Sequence, residues 1–127
     1  MNTVAESMKE PDARNLRART KAFALRIIRL YSSLPKTTEA QVLGKQVLRS
    51  GTSVGAHYRE ATRARSAAEF ISKIEVGLQE LEETVYWLEL LVDASLVNES
   101  KLCELLREAE ELTAIFVSSA KTAKKSR

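Results

Sequence analysis

Cysteine, histidine, proline and glycine are all scarce in this sequence of 127 residues, which has one cysteine, one histidine, two prolines and four glycines. Cys103 has no partner for an internal disulfide, so we expect a reducing compartment, the cytoplasm. The shortage of glycine and proline favours long helices over turn-rich β-structure. No run of about 18 apolar residues is present to span a membrane, and the first residues lack the apolar segment of a secretory signal. We therefore expect a cytoplasmic protein without membrane association.

The single histidine argues against several kinds of catalytic and metal centre. A di-iron carboxylate bundle needs two Glu-x-x-His motifs, and no glutamate stands three residues before His57. A structural zinc site needs four Cys or His ligands, whereas His57 and Cys103 are single and lie on different predicted helices. The glycine-rich run from Gly51 to Gly55 lacks the lysine of a phosphate-binding loop. We expect a protein with no metal, no cofactor and no enzymatic activity.

Apolar residues make up 44% of the sequence and charged residues 29%, the balance of a folded globular domain. The stretch Glu69–Asp93 is predicted to be the central helix of this domain. Its apolar residues recur at alternating steps of three and four, which predicts a helix that packs along one side. Phe70, Trp87 and Leu91 lie off that seam and predict contact with a second surface. The seam itself consists of Ile71, Ile74, Leu78, Leu81, Val85, Leu88 and Val92.

Three further helices are predicted around this one. The first covers about Asp12–Ser33, with Asp12 as its N-cap, and the second covers about Glu39–Arg63, with Thr38 as its cap. Asn98 is expected to cap the last helix, and Ser66 is expected to cap the central one.

Short connections between four helices favour one all-α domain, an up-down-up-down four-helix bundle over residues 12–120. Residues 1–11 are expected to form a flexible N-terminus, and residues 121–127 a basic flexible tail.

The second predicted helix contains Gly51 and Gly55, and each glycine costs roughly 1 kcal/mol relative to alanine in a helix interior. Because they are four residues apart, they share one face and allow another backbone to approach closely. Two interpretations stay open at this point. One is tight packing inside the bundle, and the other is a subunit contact or a bend that faces a ligand.

Charge divides the sequence into two halves of opposite sign. Residues 13–73 carry 13 Lys/Arg and 3 Asp/Glu, whereas residues 74–120 carry 2 and 11. One interpretation is that the two halves neutralise each other, within the bundle or across subunits. The other is a basic surface that attracts nucleic-acid phosphates. The expected binding residues are Arg14, Arg17, Lys21, Arg49, Arg59, Arg63 and Arg65.

The run LRSGTSVGAHYREATRARSAAEFISKI, followed by ELEETVYWLELLV, closely resembles a known family of four-helix bundles. These are the proteins encoded in intervening sequences of bacterial large-subunit ribosomal RNA genes, and the family includes the accessory variability determinant proteins of diversity-generating retroelements. The resemblance covers residues 22–116. Its most specific parts are the Ser-Gly-Thr-Ser-Val-Gly segment, the Tyr-Arg-Glu-Ala step that contains Arg59, the Arg65-Ser66 pair, and the Tyr-Trp-Leu-Glu-Leu step that contains Trp87.

The resemblance implies a homopentamer with no enzymatic activity. The retroelement members of the family look like nucleic-acid-binding partners of a reverse transcriptase, which implies a reverse transcriptase or another protein as a partner here. In such an assembly Gly51, Gly55, Tyr58 and Trp87 are the expected subunit-interface residues. Two functions therefore remain. The first is an oligomer that binds RNA or DNA through the basic surface without sequence preference. The second is a structural or protein-interaction assembly in which opposite charges meet at subunit contacts.

Overall fold

The computed structural model describes residues 15–126, and within that range the chain forms four α-helices and no strand. They are α1 (Leu16–Ser33), α2 (Thr38–Thr62), α3 (Ala67–Asp93) and α4 (Glu99–Ser126). For these residues the prediction of an all-α structure with four helices is confirmed. The predicted flexible segment 1–11 and the predicted cap Asp12 lie outside the described residues.

Local hydrogen bonds fix the starts of two helices. Ser66 Oγ accepts a hydrogen bond from the backbone N–H of Glu69 at 3.1 Å, so the predicted cap of α3 is confirmed. In α2 the cap is Thr37, which accepts from the backbone N–H of Ala40, and not the predicted Thr38. The reason is that Thr37 keeps an extended backbone, whereas Thr38 already belongs to the helix.

Each helix runs antiparallel to its neighbours. Residues early in α1 face residues late in α2, as Thr20 faces Gly55. The hydroxyl oxygens of Ser50 and Thr84 lie 2.8 Å apart between α2 and α3, and Gly77 of α3 faces the ring of Phe116 in α4. The Arg19–Glu108 ion pair joins α1 to α4, so the first and last of the described helices are also in contact. The topology of the described helices is therefore up-down-up-down.

The core side of α3 is rotated slightly from the predicted seam. Ile71, Ile74, Leu81 and Leu88 are buried as predicted, but Leu78, Val85 and Val92 are only half-buried. Gly77 and Thr84 take the central positions instead, because Gly77 receives the Phe116 ring and Thr84 meets Ser50. Phe70 and Leu91, predicted to lie off the seam, belong to the core.

The C-terminal part of α4 differs from the flexible tail that was predicted for residues 121–127. Residues 121–126 continue the helix and do not form a loose segment. The helix continues because Ala120 and Ala123 are buried against the bundle and because no glycine or proline interrupts it. Lys124 also pairs with Glu75 of α3 at 3.2 Å, and cations near a helix C-terminus interact favourably with the helix dipole.

None of the four helices within residues 15–126 is both long and apolar enough to cross a membrane.

Candidate nucleic-acid interface

The antiparallel topology gathers basic residues from three separate segments at one end of the molecule. This basic end consists of residues 15–21 of α1 and its cap, residues 59–75 around the α2–α3 connection, and residues 119–126 of α4. Together they carry ten Lys/Arg and three glutamates. The opposite end, residues 30–44 and 86–104, carries two lysines and five acidic residues. The bundle is therefore polarised along its length, basic at one end and acidic at the other.

Ion pairs within the chain occupy some of the cations at the basic end. Arg19 pairs with Glu108 and Glu111 of α4, and hydrogen bonding to Glu108 is the main cause that raises its pKa. The other paired cations are Lys73 with Glu60, Lys124 with Glu75, and Arg65 with Glu69 at 4.0 Å. Six cations have no carboxylate within 4.0 Å among residues 15–126: Arg17, Lys21, Arg59, Arg63, Lys121 and Lys125.

Most of the predicted binding residues lie at this end. Arg17 and Lys21 are exposed on the first turns of α1, and Arg59 is half-buried in the last turn of α2. Arg63 and Arg65 are exposed in the α2–α3 connection. The seventh predicted residue, Arg14, lies outside the described residues. The structure thus brings together on one end five of the residues that the charge pattern singled out.

Lys21 and Arg59 lie on opposite sides of an open groove of about 330 Å³ between α1 and α2. Among residues 15–126, no acidic residue lines this α1–α2 groove. The hydroxyl protons of its two threonines are used within their own helices, from Thr20 to the Leu16 carbonyl and from Thr52 to the Leu48 carbonyl, both at 2.7 Å. The lining residues are Thr20, Lys21, Ala24, Thr52, Gly55, Ala56 and Arg59.

Arg49 occupies a different place from the other predicted binding residues. Its guanidinium contacts Glu80 at 3.2 Å and Glu83 at 2.9 Å on α3. The Glu80 side chain is only 10% exposed, so Arg49 neutralises a carboxylate that the bundle almost buries. The opposite charges of Arg49 and α3 therefore meet inside one subunit.

His57 belongs to the same α2–α3 contact. Its Nδ1 lies 3.0 Å from Glu60 Oε1, and its Nε2 lies 3.8 Å from Glu80 Oε2. Glu60 also pairs with Lys73, and its hydrogen bond with Lys73 is the first cause that lowers the Glu60 pKa, followed by its hydrogen bond with His57. Among residues 15–126 no group of three or more His, Cys, Asp or Glu side chains is placed to hold a metal ion.

The glycines predicted to lie at a subunit interface pack within the chain. Both are buried, and they face α1: a β-carbon at Gly51 would meet Ile27, and one at Gly55 would meet Thr20. The first of the two interpretations, tight packing inside the bundle, describes both residues.

Tyr58 and Trp87, the two aromatic residues predicted at the interface, are each half-buried against the core. The ring centroid of Tyr58 lies 6.1 Å from that of Phe116. Burial raises the Tyr58 pKa, and the positive charge of Arg17 opposes that shift. The Trp87 Nε1–H is buried and has no hydrogen-bond partner within the part of the chain that the structure describes.

The sequence comparison identifies the family of this chain. The family model of the 23S rRNA-intervening sequence proteins matches residues 14–118. The chain belongs to this family. No curated protein matches the sequence.

One solved structure resembles this intervening sequence protein along nearly its whole length. It is the crystal structure of a protein with unknown function from the S23 ribosomal protein family of Bacteroides thetaiotaomicron. The two chains are 37% identical, and the superposition has a TM-score of 0.80. It covers 85% of this chain and 96% of the Bacteroides chain.

Sequence reasoning missed two features of the basic end of this intervening sequence protein. It placed Lys121, Lys124 and Lys125 on a loose tail, although the buried positions Ala120 and Ala123 continue the spacing of the α4 core and could have indicated a longer helix. It also missed the α1–α2 groove, because no local pattern shows that Lys21 and Arg59 face each other across two helices.

Proposed function

We propose that this intervening sequence protein is a non-enzymatic, cytoplasmic protein that binds RNA or DNA through the phosphates of the backbone. The observation that supports the proposal is the gathering of three basic segments at one end, with six cations that no carboxylate of residues 15–126 neutralises. Such a surface attracts nucleic acid of any sequence, because phosphates are common to every strand and no base-reading motif accompanies the cations.

The test compares two variants with equal loss of positive charge. The first replaces Arg59, Arg63 and Arg65 with Gln at the basic end. The second replaces Lys36, Lys45 and Lys101, which are exposed, lie toward the opposite end and form no ion pair within residues 15–126. Binding of a labelled structured RNA is followed by fluorescence anisotropy at low salt.

We expect the basic-end variant to bind this RNA at least tenfold more weakly than wild type and the control variant to lose much less affinity. Equal losses would show a response to net charge alone and would contradict the assignment of binding to this end.

A second candidate function is structural: the protein assembles into a homo-oligomer, the pentamer that the family resemblance implies. Such an assembly is compatible with nucleic-acid binding. One observation favours it. Glu82 and Glu110 line an open, apolar groove between α3 and α4 together with Val85 and Thr113, whereas the α1–α2 groove is lined by cations. These two faces of the bundle are complementary in charge, so one copy could seat its α1–α2 face on the α3–α4 face of the next.

The assembly candidate is tested by the molar mass in solution. We expect wild-type protein to have a multiple of the monomer mass at low salt and the Glu82→Gln, Glu110→Gln double variant to have a lower one. A wild-type protein that is monomeric at low salt would contradict the assembly role. It would leave the proposed nucleic-acid binding standing, because the basic end lies within one chain.

A further inference from the structure

The α1–α2 groove joins two cations to a lining of small and uncharged residues. Lys21 reaches it from α1 and Arg59 from α2, and neither has a carboxylate within 4.0 Å among the described residues. We infer that this groove seats one phosphodiester group of the bound strand between Lys21 and Arg59. The inference rests on the proposed function and specifies where at the basic end a phosphate lies.

The hydrogen-bonding groups of the groove fit an anion that only accepts hydrogen bonds. Because Thr20 and Thr52 donate to carbonyls of their own helices, the free side-chain donors of the lining belong to Lys21 and Arg59. A guanidinium presents paired N–H donors that match two phosphate oxygens, and a lysine ammonium adds a point charge. A neutral ligand would leave these charges without compensation.

The size of the groove follows from the close approach of α1 and α2. Gly55 lies against Thr20, where a β-carbon would come within 3.1 Å of Thr20 Oγ1. Ala24 and Ala56 leave the space above this contact open. The open groove of about 330 Å³ has room for one phosphate with its adjoining sugar. Arg17 and Arg63 are each four residues along the chain from a cation of the groove, and we place the continuing strand on their side.

Arg49 differs from the two cations of the groove because carboxylates contact it. It lies on the same helix as Arg59, but two glutamates of α3 contact it at 2.9–3.3 Å. A phosphate near Arg49 would be repelled by Glu80 and Glu83, whereas the described part of the chain contributes no carboxylate to the lining of the groove.

The inference is tested with a short single-stranded RNA at several salt concentrations. Lys21→Gln and Arg59→Gln each remove one cation of the groove, and Lys45→Gln removes an exposed lysine of α2 outside the lining. For single strands the slope of log K against log salt is about −0.7 per neutralised phosphate contact. We expect each groove variant to lower the steepness of this slope and the double variant to weaken binding at least tenfold. Lys45→Gln should match wild type.

A second variant tests the same space by adding a carboxylate. Ala24→Glu places an acid in the groove, where it should pair with Lys21 or Arg59 and weaken RNA binding as strongly as the double variant. A titration with inorganic pyrophosphate, followed by the Arg59 Nε–H resonance, distinguishes a general phosphate site from one that needs the strand. Circular dichroism melts check that every variant folds.

The failures are distinguishable. If wild type binds RNA and the groove variants match Lys45→Gln, the phosphate seat is wrong and the proposed function stands. If wild type does not bind RNA at low salt, both are wrong.

Discussion

Gly51 of α2 lies so close to Ile27 of α1 that a β-carbon at Gly51 would come within 2.7 Å of Ile27 Cγ1. Ile27 is fully buried, so its side chain has little room to move away. One turn later, Gly55 meets Thr20 less tightly, with 3.1 Å to Oγ1 and 3.2 Å to the β-carbon. The two glycines set how closely α1 and α2 approach, and this approach forms the base of the α1–α2 groove.

These contacts predict that Gly51→Ala and Gly55→Ala differ in stability. Alanine gains about 1 kcal/mol in helix propensity at either position, but overpacking a core costs about 1–3 kcal/mol. We expect Gly51→Ala to lower the free energy of unfolding by about 1 kcal/mol and Gly55→Ala to change it by less. Urea denaturation of both variants measures the difference. A Gly51→Ala variant that is more stable than Gly55→Ala would contradict the close contact with Ile27.

Arg49 is predicted to stabilise the bundle and to contribute little to nucleic-acid binding. Arg49→Gln leaves the nearly buried Glu80 without its main cation, and we expect a loss of about 1–2 kcal/mol of stability. A double-mutant cycle with Glu80→Gln isolates the coupling between the two side chains. RNA affinity of Arg49→Gln should stay within about threefold of wild type, whereas a tenfold loss would assign Arg49 to the binding surface.

Ser95, two residues after the end of α3, has a left-handed backbone conformation with φ at 60°, and the N–H of Leu96 donates to the Leu91 carbonyl at 2.9 Å. Glycine is preferred at this position because it has no β-carbon to clash. We expect Ser95→Gly to raise the free energy of unfolding by about 0.5–1 kcal/mol. Ser95→Ala keeps the β-carbon and serves as the control. If both substitutions have the same effect, backbone strain is not the cause.

Glu60 links the stability of the α2–α3 contact to pH. Its pKa is lowered mainly by the hydrogen bond with Lys73, so its contribution to stability is present above the unfolded-state pKa and is lost as pH falls through the lower folded-state pKa. In Lys73→Met the Glu60 pKa should move up toward its ordinary range. An NMR titration of the Glu60 side-chain carboxyl carbon measures both midpoints. Identical midpoints would show that Lys73 does not hold this carboxylate.

The four helices could be predicted from the sequence because each carries its own apolar period and because Pro35 and Ser66 mark local boundaries. The exact core side of α3 could not, since Gly77 and Thr84 become central only through Phe116 and Ser50 on other helices.

The charge pattern grouped Arg49 with Arg59 as predicted binding residues, because it could not separate the two. Their difference depends on Glu80 of α3, which contacts Arg49 and lies 31 residues after it in the sequence. Pairing across helices is a property of the tertiary structure, and periodicity along one helix does not contain it.

The most direct test of the central claim is a salt titration of wild-type binding. A labelled structured RNA and a duplex DNA are titrated with the protein by fluorescence anisotropy at low and moderate salt. Binding through the basic end predicts affinity for both ligands that falls linearly as log K against log salt, with a slope that reports several phosphate contacts. No binding at low salt would contradict the account and would assign the cations of the basic end to contacts between subunits.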